Sequence, residues 1–153
     1  PFNYNHAFEF ISALTHGFVL LPVGGGSDAV NPDDESDTIE IKTTKYELTK
    51  KGNEKSMGFT YNGTTRKPTL EEQKEYCYEK IMRDEYHIWD MIDYEKGALV
   101  KSIKIKNTEV WGLIWEKWEK SWYNTGAADP RIGGRVTTND LKKNNVQYEV
   151  INH

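Results

Sequence analysis

Asp28, Glu40 and Lys42 are the residues whose types and spacing could do chemistry. They lie in the stretch "SDAVNPDDESDTIEIKTT" (27–44), in which Lys42 is the first lysine of the chain. In "TIEIKTT", a strand would turn Ile39 and Ile41 to one face and Thr38, Glu40 and Lys42 to the other, because side chains alternate along a strand. A carboxylate and an ammonium then share a face, ~6.6 Å apart along the strand at ~3.3 Å per residue. A hairpin turning on Asn31, Pro32, Asp33 and Asp34 pairs residues whose numbers sum to about 68, which brings Asp28 opposite Glu40. Asp33 and Asp34 belong to that turn, and Asp37 has the parity of the isoleucines. Asp28 is therefore the acid expected to join Glu40 and Lys42.

An Asp…Glu-x-Lys set suits phosphodiester hydrolysis. Two hard carboxylate oxygens can hold Mg²⁺, which keeps several of its waters. The ion polarises a phosphate and lowers the pKa of a bound water, and a neighbouring lysine can orient that water and stabilise developing charge. Glu-x-Lys also occurs by chance on many solvated strands, so the pattern alone is a weak signal and more often describes surface charges.

The elements that would position these residues follow from periodicity. Ala7, Phe8, Phe10, Ile11 and Leu14 have helical spacing and stop before Gly17. "FVLLPV" (18–23) is expected as a buried strand, and Gly24–Gly26 as a corner. Lys50–Pro68 is polar and is expected as a long loop. Thr69 with Glu72 is a capping-box pattern opening a helix to about Asp84. "YHIWDMIDY" and "ALVKSIKI" flank Glu95-Lys96-Gly97 as a hairpin, and Thr108 is expected to cap a further helix. Trp111, Trp115, Trp118 and Trp122 share one face of that helix; packing on a sheet explains them more simply than a stacking platform for bases. "VQYEVI" reads as an edge strand. This order predicts one mixed α/β domain with a central sheet flanked by helices. Its parts are a helix in 1–17, catalytic strands in 18–45, a loop in 46–68, and a helix, hairpin, Trp-rich helix and C-terminal strand in 69–153.

Charge is distributed in blocks. Residues 1–41 carry seven acids and no base, and 42–67 seven bases against two acids. Residues 68–100 are again acidic and 101–153 basic, so a net charge of -4 leaves room for a positive surface beside a negative site. Cys77 is the one cysteine, so no internal disulfide forms, and a reducing, cytoplasmic compartment is expected. The longest apolar stretch is too short to span a bilayer, and no signal-peptide pattern opens the sequence. The four histidines, His6, His16, His87 and His153, have no metal-ligand spacing.

From about Phe18 to Ile132, "LLPVGGGSDAV", "IEIKTT", "ELTK" and "KWEKSWYNTGAADPRI" resemble, in that order, the motifs of PvuII-like type II restriction endonucleases, within the PD-(D/E)xK nuclease superfamily. The resemblance implies a restriction-endonuclease-like fold and a homodimer that cuts palindromic double-stranded DNA. It implies Asp28 and Glu40 as metal ligands and Lys42 as the catalytic lysine, the three residues that strand parity selects. Mg²⁺ is the implied cofactor, with Mn²⁺ substituting and Ca²⁺ binding without supporting cleavage.

Three departures matter. Gly25 stands where the family has a glutamate before its catalytic aspartate; the base-reading histidines are missing from "GFTYNGTTRKPT"; and Asp129-Pro130 replaces an Asn-Pro. DNA contact is therefore expected from other residues. Thr60, Tyr61, Asn62, Thr64, Thr65 and Arg66 could face bases, and Lys45, Lys50, Lys51, Lys55 and Arg131 phosphates. The dimer contact is expected from the Ala7–Leu14 or the Thr69–Asp84 helix. Alternatives are a homing, repair or junction-resolving nuclease of the same fold, or a non-catalytic DNA-binding domain.

Overall fold

The computed structural model describes residues 4–22, 24, 26–125 and 131–153. Gly25, Asp129, Pro130 and the side chain of Thr64, all singled out above, lie outside the described residues.

Helix α1 (Tyr4–Thr15) leads into a six-stranded sheet ordered β1-β2-β3-β5-β6-β8. These strands are β1 (Val19–Leu20), β2 (Ala29–Asn31), β3 (Asp34–Lys45), β5 (Tyr86–Asp93), β6 (Ala98–Lys106) and β8 (Glu149–Asn152). Only β3 and β5 pair in parallel, and the rest are antiparallel, so the sheet is mixed and the fold is α/β as expected. A separate ribbon pairs β4 (Gly58–Thr65) with β7 (Arg131–Thr137). Helices α2 (Leu70–Met82), α3 (Asn107–Asn124) and α4 (Thr138–Lys143) complete the chain.

The sheet separates two apolar clusters. Ile39, Ile41 and Ile88 turn to one side and pack with Ala13 of α1. Trp89, Met91, Ile103 and Ile105 turn to the other and pack with α2, α3 and the ribbon. Covered on both faces, β5 is buried almost throughout, and its two buried polar residues, His87 and Asp90, are held by hydrogen bonds. The α3 tryptophans pack: Trp118 is fully buried with Nε1 donating to the Tyr61 carbonyl (3.0 Å), and Trp111 stacks on Trp115.

Three expectations need correction. "FVLLPV" is not a buried strand: β1 is two residues at the sheet edge, with Val19 49% exposed. The 46–68 segment is not a loop throughout, because β4 occupies 58–65 and buries Phe59 and Tyr61. Its alternation was masked by glycine, asparagine and threonine, and its partner β7 comes much later in the sequence. Thr108 does not cap α3. The helix starts directly from β6 with Lys106 at the cap, and the Asn107 backbone is held by Glu85 (2.9 Å). Thr69 does cap α2, accepting from the Glu72 amide at 3.2 Å, and Gly97 turns the β5–β6 hairpin at φ 62°.

A polar cluster sits where α1 and β8 meet the sheet. Asp90 is wholly buried; the Ser102 hydroxyl donates to its Oδ1 (2.6 Å), and His16 Nε2 lies 3.5 Å from the same oxygen. Since the Ser102 proton goes to the carboxylate, His153 Nε2, at 2.7 Å, must donate to Ser102. That polarity is opposite to a nucleophile–base pair, and the cluster ties α1 and the tail to β5 and β6.

Candidate active site

The β2–β3 hairpin has the register that its residue types specify. Ala29 pairs with Ile39 and Val30 with Thr38, and beyond them the Asp28 amide donates to the Ile39 carbonyl (3.1 Å). Asn31 shapes the turn: its Oδ1 accepts from the Asp33 amide and its Nδ2 donates to Asp37. Asp34 is likewise committed locally, its carboxylate held below the usual range by the hydroxyl and amide of Ser36. This leaves Asp28, which points back across the hairpin and accepts from the Ile41 amide at 2.7 Å through Oδ2. Ile39 and Ile41 are buried under α1, so Glu40 and Lys42 project from the opposite face. Lys42 Nζ lies 3.5 Å from Glu40 Oε1.

Glu40 has a second cation. Arg83, at the end of α2, brings its Nη2 to 3.6 Å from Glu40 Oε2. Its Nε faces Asp84 Oδ2 at 3.6 Å, and the other oxygen of Asp84 accepts from the Ser27 hydroxyl. Glu9 of α1 lines the same cleft. Burial and then the charge of Asp28 push the Glu40 carboxyl up to about 7. Burial likewise raises Asp28, despite the Ile41 amide, and Glu9 is raised by burial and by Asp28. Two largely buried carboxylates crowded together at the side of a cleft strongly favour a shared proton or a cation.

Beneath Lys42 lies a rigid floor. The ammonium sits 4.6 Å from the centre of the Tyr61 ring. His87 Nε2 is 3.1 Å from the Ile81 carbonyl, which can only accept, so Nε2 carries the proton and Nδ1 is bare. The Tyr61 hydroxyl therefore donates to His87 Nδ1 (2.8 Å) and accepts from Trp89 Nε1 (2.8 Å). Burial lowers the His87 imidazole to about 4, keeping it neutral in this chain, and pushes the Tyr61 phenol far up. Tyr61 is thus a buried support, 3% exposed, and not the DNA-facing residue expected from the sequence. Tyr61→Phe leaves a buried acceptor and a buried donor unpaired. Chemical denaturation should show a loss of about 2–4 kcal/mol, each orphaned group costing about 1–3 kcal/mol.

The ribbon forms the opposite wall of an open cleft of about 590 Å³, which holds Asp28, Glu40 and Lys42 together with Thr60, Asn62 and Arg135. Phe59 and Tyr61 point into the core, so Thr60 and Asn62 alternate outward, and Arg135 pairs with Thr60 across the ribbon. Arg135 lies over Gly58, where a Cβ would collide with its guanidinium. Arg135 and Glu9, which line the cleft, and Arg83, which faces Glu40, were missed from sequence, because each comes from an element remote from "TIEIKTT". The basic block at 101–153 was the one available signal for Arg135, whereas Arg83 lies in an acidic block.

Other expected DNA contacts lie elsewhere. Lys45 and Lys55 line a different groove, with Glu47 and Asp93. Lys50 and Lys51 are exposed on a tight turn closed by the Thr49 amide and Asn53 carbonyl. Arg66 stacks on Trp122 at 3.8 Å and donates from Nε to its carbonyl. Thr65 and Arg131 pair at the far end of the ribbon.

Among the described residues, no group of three or more His, Cys, Asp or Glu is placed to hold a metal. Asp28 and Glu40 supply two hard oxygen donors in a solvent-open cleft, which fits an ion such as Mg²⁺ that binds through one or two carboxylates and keeps its waters. No helix among the described residues is long and apolar enough to cross a membrane. No family model and no curated protein matches this chain.

Proposed function

We propose that this chain is a Mg²⁺-dependent endonuclease of the type II restriction kind. It hydrolyses double-stranded DNA at a specific, two-fold symmetric site as a homodimer, in the cytoplasm of its host cell. One observation carries the reading: Asp28, Glu40 and Lys42 converge in one cleft, with the oxygens of Glu40 facing Lys42 and Arg83 at 3.5 and 3.6 Å.

Asp28 and Glu40 hold the ion, which when bound supplies Lewis acidity toward the scissile phosphate. The rigid hairpin, locked by the Asp28–Ile41 bond, sets the spacing of the two carboxylates. Lys42, steadied by Glu40 and the Tyr61 ring, orients the attacking water and stabilises charge developing on the phosphate. Thr60, Asn62 and Arg135 offer a donor- and acceptor-rich wall to the duplex; a two-stranded ribbon is narrow enough to enter a major groove. Two strands to cut require two such sites, hence the dimer.

The test is incubation of supercoiled plasmid and of a four-way junction with the protein and Mg²⁺. Discrete plasmid fragments are expected. Cleavage confined to the junction would replace restriction with a junction-resolving role.

A further inference from the structure

Arg83 has no part in the chemistry assigned to Asp28, Glu40 and Lys42, yet its guanidinium spans two acids of the site. Nη2 lies 3.6 Å from Glu40 Oε2 and Nε lies 3.6 Å from Asp84 Oδ2. Three features fix it there. The Arg83 amide closes α2 by donating to the Glu79 carbonyl (3.0 Å). Gly26, at φ 108°, leaves room for the side chain, since a Cβ there would come within 3.3 Å of Nη1. Asp84 is wholly buried, with one oxygen taken by Ser27 and the other without a hydrogen-bond partner, facing Arg83. An acid buried that deeply needs a cation beside it, so Asp84 pins the guanidinium, whose planar fork then reaches Glu40.

We propose that Arg83 is a positioning residue that holds Glu40 in the orientation in which it and Asp28 take a divalent cation. The proposal rests on the metal-dependent reading above. At 3.6 Å the contact is electrostatic and not a hydrogen bond, so Glu40 keeps its lone pairs for ligation. The fork matters as well as the charge. A lysine at this position can face one acid at a time, whereas arginine serves both. Hydrogen-bonded partners that orient a ligating side chain typically contribute about 10–100-fold in metal affinity, which sets the scale expected for this charge contact.

Mn²⁺ binding, followed by electron paramagnetic resonance with thermal melting alongside, tests the proposal in wild type, Arg83→Ala, Arg83→Lys and the double variant Arg83→Ala/Asp84→Asn. The double variant removes the buried charge that Arg83→Ala would strand, and so guards against unfolding. Mn²⁺ affinity about 10–100-fold below wild type is expected in both alanine variants, with Arg83→Lys between. Wild-type affinity in a folded double variant overturns the role of Arg83 and leaves the functional reading standing. A wild-type protein that binds no Mn²⁺ contradicts the functional reading, and the positioning role with it.

Discussion

Lys42→Ala is expected to lower the rate of DNA cleavage by about three orders of magnitude at saturating Mg²⁺, while duplex affinity measured in Ca²⁺ changes by less than about threefold. Among the described residues, Lys42 is the cleft's cation on the same strand face as Glu40, its Nζ 3.5 Å from Glu40 Oε1. A positioned proton-transfer group contributes about 10²–10⁴-fold, and a charge that stabilises the transition state alone adds a comparable factor. Substrate affinity should survive, because the wall formed by Thr60, Asn62 and Arg135 stays intact. Removing the ammonium also takes a favourable charge from Glu40, so the comparison must be made where Mg²⁺ saturates the variant. Single-turnover cleavage of an end-labelled duplex reads the rate; a loss of less than tenfold would remove Lys42 from the chemistry.

The second large effect concerns pH. The Glu40 carboxyl moves from its ordinary 4.5 up to about 7 on folding, chiefly through burial and then through the charge of Asp28. Between those values the unfolded chain has released the proton and the folded one retains it, so stability falls as pH rises through this window and levels off above about 7. The gap corresponds to at most about 3 kcal/mol, at about 1.36 kcal/mol per pH unit. The raised Asp28 acts in the same direction. Glu40→Gln should remove the pH-dependent part, gaining on wild type from pH 4.5 to about 7 when both are denatured without divalent ions. Saturating Mg²⁺ should reverse the order at pH 8 by stabilising wild type and not the variant. Parallel pH profiles for the two proteins would mean that Glu40 is not held as described.

These effects rest on a hairpin that was legible from residue types, because one period-two pattern decides it. Ile39 and Ile41 can only face α1, and that forces Glu40 and Lys42 outward; the turn at Asn31 then sets which acid faces them. The α2 cap at Thr69 and the β5–β6 turn at Gly97 were legible for the same reason, their signals being local. The ribbon was not. Phe59 and Tyr61 carry its apolar face within a polar stretch, and nothing near them in sequence announces Ile132 and Val136. Tyr61 looked like a base-contacting residue for that reason, and its burial against His87 and Trp89 emerges only when three segments meet. Arg83 and Arg135 belong to the same class: each acts beside Glu40 and Lys42 through a tertiary contact.

The most direct measurement is to incubate the protein with a long DNA of known sequence plus Mg²⁺ and to map every end produced. Cuts in both strands at one recurring, two-fold symmetric sequence are expected, abolished by EDTA and by Lys42→Ala. Intact DNA with both Mg²⁺ and Mn²⁺, or cleavage that persists in EDTA or in the Lys42 variant, would contradict a metal-dependent nuclease built on Asp28, Glu40 and Lys42.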